Sequence, residues 1–507
     1  MLRVASGIVL ASLWVGCCVA QSDMAAKATP EFRPQVHFSP QRNWTNDPNG
    51  LVYFDGEYHL FFQYNPFGDQ WGHMSWGHAV STDLLHWHQL PVAIPEAGGE
   101  MVFTGSVVVD EKNSSGLCAS GKACMVAVFT GDSSPAAGHR EVQDLAVSQD
   151  RGRTWTRYAG NPVLDLHKSD FRDPSVTWNE GIHAWLMTVA LPNEHEVAFY
   201  RSANLKEWTR LGTFGPDGAT SGVWECPDLL QIPSKDGRSS VWALKVGLNP
   251  GSLQGGSGEQ YFLGSFDGKT FKRSAAAGSH GWTDYGKDSS CAISYNHLPA
   301  GEQPTLLGWM ANWDYAKYLP TAPWRGQMTL ARRVTFVRDQ DGMGLSQTPV
   351  IAPMREGAGE AIVKELAGDR DSAVLVETES PAELVLRFDP ADAESFGVRL
   401  YSDGGHWTEV GFDRAKTQFY VDRTHSGLEV AKGFLTRTNA PLAEHRPFDV
   451  HLVMDRSSVE AFAQGGTIAM TNLIFPPTEH VEVRLVREGG HGALKVSGRS
   501  WKLRSAR

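Results

Sequence analysis

In the last third of the chain, apolar and polar side chains alternate with period two: Glu383-Leu384-Val385-Leu386-Arg387-Phe388, Gln418-Phe419-Tyr420-Val421-Asp422, Phe448-Asp449-Val450-His451-Leu452-Val453-Met454 and Val481-Glu482-Val483-Arg484-Leu485-Val486. Successive side chains of a strand point to opposite faces, so this alternation predicts half-buried strands. Two sheets packed as a β-sandwich are the simplest way to close their apolar faces. The preceding two thirds read differently, as short β-prone runs broken by a recurring polar turn with an aromatic restart. The copies are Ser81-Thr82-Asp83-Leu84-Leu85-His86-Trp87, Ser148-Gln149-Asp150-Arg151-Gly152-Arg153-Thr154-Trp155, Ser202-Ala203-Asn204-Leu205-Lys206-Glu207-Trp208 and Ser265-Phe266-Asp267-Gly268-Lys269-Thr270-Phe271. An Asp or Asn turn between two such runs is a hairpin signature. Its repetition predicts radially arranged four-stranded sheets, a β-propeller, with one further blade built from Thr305 to Val337 and the N-terminal strands.

Around Asp339 to Pro353 the pattern loosens into Asp-Gln-Asp-Gly-Met-Gly and Gln-Thr-Pro-Val-Ile-Ala-Pro, which reads as a domain crossing. The expected organisation is all-β: a leader over residues 1–20, a propeller over 33–338, a linker over 339–357 and a β-sandwich over 358–507. A chain of 507 residues exceeds one hydrophobic core, and 52 Gly and 27 Pro suit a turn-rich architecture. The formal net charge of −11 carries no long basic run, which excludes a nucleic-acid partner.

Met1 to Ala20 has one early cation, Arg3, an apolar run from Ile8 to Val15, and a small residue before Gln21. The segment is short for a membrane span and is followed by polar sequence, so it reads as an export signal removed in a secreted or periplasmic protein. Cys17 raises lipid anchoring, against which Trp14 occupies a position where such signals place a small aliphatic residue. Removing the leader leaves Cys118, Cys124, Cys226 and Cys291. Cys118 and Cys124 are placed to close a small disulfide, while Cys226 reads as a buried packing thiol. Asn43 and Asn113 are glycosylation acceptors only in a eukaryotic secretory path. His73, His78, His86 and His88 lack a Cys or acidic partner at ligand spacing and read as packing and hydrogen-bonding residues, so no metal is expected. Gly255-Gly256-Ser257-Gly258 leads into a strand, not a helix, and is no phosphate loop; no cofactor is called for.

Three carboxylates stand in rigid, proline-bearing settings: Asp47 in Trp44-Thr45-Asn46-Asp47-Pro48-Asn49-Gly50, Asp173 in Phe171-Arg172-Asp173-Pro174, and Glu225 in Trp224-Glu225-Cys226-Pro227-Asp228. A pair of carboxyl groups, one ionised and one protonated, is the minimum apparatus for cleaving a glycosidic bond. Proline disfavours the helical region for the residue before it, so Asp47 and Asp173 are expected in tight turns that aim them.

With these motifs in this order, the chain resembles glycoside hydrolase family 32, the secreted β-fructosidases: invertases, levanases and inulinases. The likeness runs from Phe38 to the C-terminus and includes Gly308-Trp309-Met310-Ala311-Asn312-Trp313 and Asp455-Arg456-Ser457-Ser458-Val459-Glu460-Ala461-Phe462. The resemblance implies a five-bladed propeller followed by a β-sandwich, with the site in an axial funnel. It also implies double displacement on terminal β-fructofuranosyl units with retention. By motif position Asp47 is the nucleophile, Glu225 the general acid and then base, and Asp173 a stabiliser of the fructosyl transition state. It further implies a fructose-binding set of Asn46, Gln63, Trp71, Phe103, Thr104 and Arg172, extended to Asp284 and Trp313.

The chemistry suits these residue types. Fructofuranoside cleavage builds positive charge at the anomeric carbon, which an ionised Asp47 both stabilises and traps. Glu225 has to hold a proton, and two anionic neighbours with an apolar wall from Trp224 are expected to favour that state. Activity is then bell-shaped in pH, with an optimum on the order of pH 5–6.5. The reading is an exported, exo-acting fructosidase for levan, inulin and sucrose. Transfer of the same intermediate to a sugar, or a non-catalytic fructan-binding role, are the alternatives. The C-terminal domain offers no acid motif; shielding of blade surface, polysaccharide binding and dimerisation are its candidate roles.

Overall fold

The computed structural model describes residues 32–133, 138–276, 278–339 and 342–507, so the expected leader lies outside the described residues. Among them, the regular elements are strands and a few three-residue 3-10 turns, and no helix is long and apolar enough to cross a membrane. Five antiparallel-rich sheets come first along the chain, and two six-stranded sheets follow. The innermost strands of the first five are Asn43–Phe54, Glu100–Asp110, Arg172–Asn179, Val223–Pro233 and Ser290–Ser294. Each adjoins the next, and Ser290–Ser294 returns to Asn43–Phe54, so the sheets close into a ring of blades.

An apolar core fills each gap between blades. Phe61 and Trp76 of the first meet Val107 and Phe129 of the second, while Leu186 and Phe199 of the third meet Trp224 and Phe262 of the fourth. The recurring polar turn is the physical unit of the repeat. Asp83 Oδ1 accepts the Leu85 and His86 amides at 2.9 and 2.8 Å. Asn204 Oδ1 accepts those of Lys206 and Glu207 at 3.1 and 3.0 Å. Asp267 Oδ1 accepts those of Lys269 and Thr270, each at 2.8 Å. The restarting Trp87, Trp155 and Trp208 each donate an indole N–H to a carbonyl of the same turn. A short side chain that satisfies turn amides explains why Asp or Asn recurs there.

Two expectations about the ring are corrected. The N-terminal strands do not complete the last blade; they form the first, and Trp324–Arg325 pairs in parallel with Asn43 and Trp44 beside them. The last blade consists of Ser290–Ser294, Thr305–Trp309, Arg332–Asp339 and Gly342–Pro349. The segment read as the start of a linker at 339 therefore contains the outer strand of that blade, in register from Asp339↔Gly342 to Arg332↔Pro349. Gly342–Pro349 runs antiparallel to Arg332–Asp339, and the chain leaves the propeller only after Pro349.

The alternating C-terminal segments are strands as expected. Ala382–Asp389 and Phe448–Asp455 neighbour each other in one six-stranded sheet, and Gln418–His425 and His480–Glu488 lie in the other. Their inward residues, among them Leu384, Leu386, Phe419, Leu452 and Val483, form one shared core. Buried ions join this sandwich to the propeller. His37 sits between Asp455 at 2.8 Å and Glu460 at 3.0 Å, and Arg332 bonds Glu460 at 2.9 Å. Arg423 of the sandwich reaches Asp288 of the propeller at 2.6 Å. Burial disfavours a charged imidazole, yet the bonds from Asp455 and Glu460 outweigh it and push His37 up to about 9. Such a network adds little net stability but fixes which surfaces dock, because any other pose strands a buried charge.

Candidate active site

Every innermost strand slips register by a β-bulge at a comparable level. The slips fall between Thr45 and Pro48, Val102 and Gly105, Arg172 and Ser175, Glu225 and Asp228, and Ser290 and Ile293. A bulge re-aims a side chain that would otherwise alternate into the sheet. Asp47, Phe103 with Thr104, Asp173, Cys226 and Cys291 sit inside these slips, and Glu225 opens its own. The motifs thus lie in bulged strands and not in the isolated tight turns expected of them.

The prolines also act differently from expectation. Asp173 and Cys226 each precede a proline, a setting that favours extended backbone, but their φ angles are 64° and 47°. Left-handed backbone at a residue with a side chain costs on the order of 1–2 kcal/mol and is held by its surroundings. Gly50 has a geometric reason in the same motif: at φ 53°, an added Cβ would lie 2.6 Å from Val107 Cγ2 and 2.8 Å from the Phe61 ring.

Each acid has its own holder. Thr104 Oγ1 donates to Asp47 Oδ2 at 2.9 Å. The Cys226 amide donates to Asp173 Oδ2 at 2.9 Å, and the Asp173 amide donates to Thr130 Oγ1 at 2.9 Å. Arg172 Nη2 donates to Glu225 Oε1 at 3.0 Å, while its Nη1 reaches Asp170 at 3.1 Å and Glu141 at 3.3 Å. The acids share one electrostatic environment. Burial, then the charges of Asp173 and Glu225, push the Asp47 carboxyl up to about 7 against the bonds from Thr104 and Asn46. Burial pushes Asp173 up to about 7 as well, with Glu225 adding to it and Arg172 opposing.

Around the acids, Asn46 Oδ1 accepts the Trp44 indole N–H at 2.8 Å, and Gln63 Nε2 donates to the Val102 carbonyl at 3.0 Å. Trp71 is 47% exposed, with its ring 6.1 Å from that of Phe103. Trp313 stacks on Trp44 at 5.8 Å, which ties it to the Asn46 strand.

Three expectations do not hold. Asp284 is not with the three acids. It lies in the domain seam, where Oδ2 pairs with Arg332 at 2.8 Å and accepts Thr471 Oγ1 at 2.7 Å, and Oδ1 accepts the Thr471 amide at 2.8 Å. Trp224 is no wall for Glu225, because strand alternation turns its ring into the core between the third and fourth blades. Cys226 is no packing thiol but is bonded to Cys291; Cys118 and Cys124 close the small loop. The histidines are engaged locally: His73 pairs with Glu96, His86 with Asp83, and His78 with His59. Sequence reasoning missed Glu141 and the Cys291 end of the crosslink. Glu141 has no local motif, and for Cys291 the only signal was an even number of cysteines.

Comparison with known proteins decides the family. The model for the glycosyl hydrolases family 32 N-terminal domain matches residues 37–349, and that for the family 32 C-terminal domain matches 357–502. The chain belongs to glycosyl hydrolases family 32. It is accordingly a glycoside hydrolase acting on fructosides. It is 40% identical to levanase of Bacillus subtilis (strain 168) over 485 residues, covering 92% of this chain and 69% of that protein. It is 38% identical over 499 residues to an extracellular exo-inulinase of Aspergillus awamori, covering 90% and 92%. The solved exo-inulinase from Aspergillus awamori superposes with a TM-score of 0.87 at 36% identity, over 94% of this chain and 99% of that one. A β-fructofuranosidase from Schwanniomyces occidentalis complexed with fructosyl-erythritol gives 0.84 at 30% identity, over 95% and 100%. This family 32 member thus has the expected propeller and sandwich.

Proposed function

We propose that the protein is an exported, exo-acting β-fructosidase that removes terminal β-D-fructofuranosyl units from levan, inulin and sucrose with retention of configuration. The observation that carries this reading is the convergence of Asp47, Asp173 and Glu225 from three blades, each held through a different partner. Asp47 attacks the anomeric carbon with the oxygen left free by Thr104, while Glu225 protonates the departing oxygen. Arg172 fixes Oε1 of Glu225 and thereby orients Oε2 toward the bond that breaks. Asp173 meets fructose hydroxyls and steadies the oxocarbenium-like state. Esterified Asp47 has lost its charge, and Glu225 then takes a proton from the incoming water, which attacks from the face the leaving group vacated.

Asn46, Gln63, Trp71, Phe103, Thr104 and Arg172 form the sugar-binding set in this reading, with Trp313 behind it through Trp44. Aromatic faces cover the C–H side of a sugar ring while amides and the guanidinium orient its hydroxyls. The extracellular standing of the exo-inulinase relative and the leader-like first 20 residues support export.

Incubation with levan, inulin and sucrose tests the whole reading. Free fructose is the expected product from the first time point. Early release of mixed oligosaccharides would replace exo with endo action, and growth of longer fructosyl products from sucrose would favour transfer over hydrolysis. The kcat/KM profile for sucrose is expected to be bell-shaped. Its acid limb reports ionisation of the carboxyl cluster in the free enzyme, and because burial raises Asp47 and Asp173 to about 7 the optimum is expected nearer neutrality than the range of about pH 5–6.5 that the residue types alone suggest. A rate that climbs steadily to about pH 9 contradicts a protonated acid in the first step.

A further inference from the structure

The crosslink between Cys226 and Cys291 lies at the catalytic centre. It ties the bulges of the innermost strands of the fourth and fifth blades, and a carboxylate oxygen of Asp47 and the two sulfurs all lie within 4.8 Å of one another. Both cysteines have left-handed backbone, with φ of 47° and 48°, and both are buried at 3% and 2% exposure. The Cys226 amide, oriented by that backbone, is the donor that holds Asp173 Oδ2 at 2.9 Å.

We propose that the Cys226–Cys291 disulfide is a positioning element for turnover: it locks the Cys226 amide onto Asp173 and sets the floor beside Asp47. This role presupposes that Asp47 and Asp173 are the reacting acids proposed above. A non-glycine residue relaxes out of the left-handed region when nothing holds it there. Relaxation at Cys226 rotates its N–H away from Asp173, and a displacement on the order of 1 Å at such a group is enough to cost about a hundredfold in rate. The crosslink is not what keeps the two blades together. Beneath it the Ser294 amide of the fifth blade donates to Asp228 of the fourth at 2.9 Å, and Lys245 of the fourth donates to the Ala292 carbonyl of the fifth. Opening the disulfide therefore leaves the fold standing and disturbs the acids.

Reduction is balanced with a dithiol as electron donor. One thiolate attacks a cysteine sulfur, the second closes the reagent to its cyclic disulfide, and the two electrons and two protons finish on Cys226 and Cys291 as thiols.

The test uses the full chain carrying Cys17→Ser, Cys18→Ser, Cys118→Ser and Cys124→Ser, which leaves Cys226 and Cys291 as its only cysteines and is expected to keep wild-type turnover. Adding Cys291→Ser is expected to lower kcat on sucrose at least about tenfold with a smaller change in KM, while far-UV and near-UV spectra stay native. Excess dithiol, applied in mild urea that leaves the protein folded, is expected to lower kcat of the parent in step with the thiols titrated. Reoxidation restores it, and the Cys291→Ser protein responds to neither treatment. Wild-type kcat and KM in Cys291→Ser, or full activity in protein with both thiols titrated, overturns the proposal. Two free thiols in the active protein as purified overturn it too. If Cys291→Ser does not fold, the dithiol arm decides. An Asp173→Asn control separates the two readings: if it is inactive while Cys291→Ser is normal, only the crosslink proposal falls, and if it is fully active the assignment of the acids falls first.

Discussion

Asp47→Asn is expected to lose at least about 10⁴-fold of sucrose hydrolysis and to melt at a higher temperature than the wild type at pH 8. The first effect follows from the proposed role of Asp47, because asparagine lacks the oxygen that would form the fructosyl ester. The second comes from the position of the carboxyl, which burial and the charges of Asp173 and Glu225 push up to about 7 from an ordinary 3.8. The folded carboxyl holds its proton to higher pH than the unfolded one. Above about pH 4 the unfolded chain ionises more readily, so the wild type loses stability as pH rises, and the loss is complete once pH passes about 7. Asparagine carries no charge to desolvate, yet its side-chain oxygen still accepts from Thr104. The gain at pH 8 is on the order of 1–2 kcal/mol, reduced from the full shift because the pocket is open to solvent. It fades as pH falls toward 4. Activity assays and melting curves at pH 4 and pH 8 check both halves. Retained turnover would remove Asp47 from the chemistry, and a melting gain equal at the two pH values would remove the electrostatic explanation.

Glu225→Gln separates its role from that of Asp47 by the leaving group it is asked to assist. Sucrose departs as a poor alkoxide and needs a proton, so kcat/KM is expected to fall on the order of 10²–10⁴-fold. An activated aryl fructoside needs none, and its first-turnover release of the aryl alcohol is expected to slow by less than about tenfold. The missing base then delays hydrolysis of the ester, and the aryl alcohol appears as a burst followed by a slow steady state. Glutamine keeps an oxygen for the Arg172 N–H, so the pocket stays assembled. Equal losses on both substrates, without a burst, would move the proton-donor role to another group.

The two acids differ in how they are supported, and this bears on how variants near them behave. Asp47 is held by two neutral side chains, the Thr104 hydroxyl from the next blade and the Asn46 amide beside it. Glu225 depends on Arg172, which is itself tied to Glu141 and Asp170. Burial pushes Glu141 up to about 7 despite the Arg172 charge beside it, and the charge of Glu141 in turn helps raise Asp173. The Glu225 side of the site is therefore a chain of charged groups, whereas the Asp47 side rests on neutral contacts.

Much of this was legible along the chain because it is local. Period-two alternation, the Asp and Asn hairpin turns, and the three acid motifs are each written within a few consecutive residues, and backbone geometry turns such patterns into strands and turns without reference to distant partners. The strands around Leu384, Phe419, Leu452 and Val483 needed nothing more. The tertiary structure decided what depends on which surfaces meet. Ring closure sets Trp324–Arg325 beside Asn43 and Trp44, and makes Gly342–Pro349 the outer strand of the last blade. Domain docking takes Asp284 to Arg332 and Thr471, away from the sugar pocket its position in the chain suggested. The converging bulges place Cys226 against Cys291 across 65 residues of sequence and turn Asp173 into the left-handed region that its proline disfavours. A chain segment encodes its own preferences, but pairing distant groups and holding a strained backbone both require the neighbours that only the closed propeller supplies.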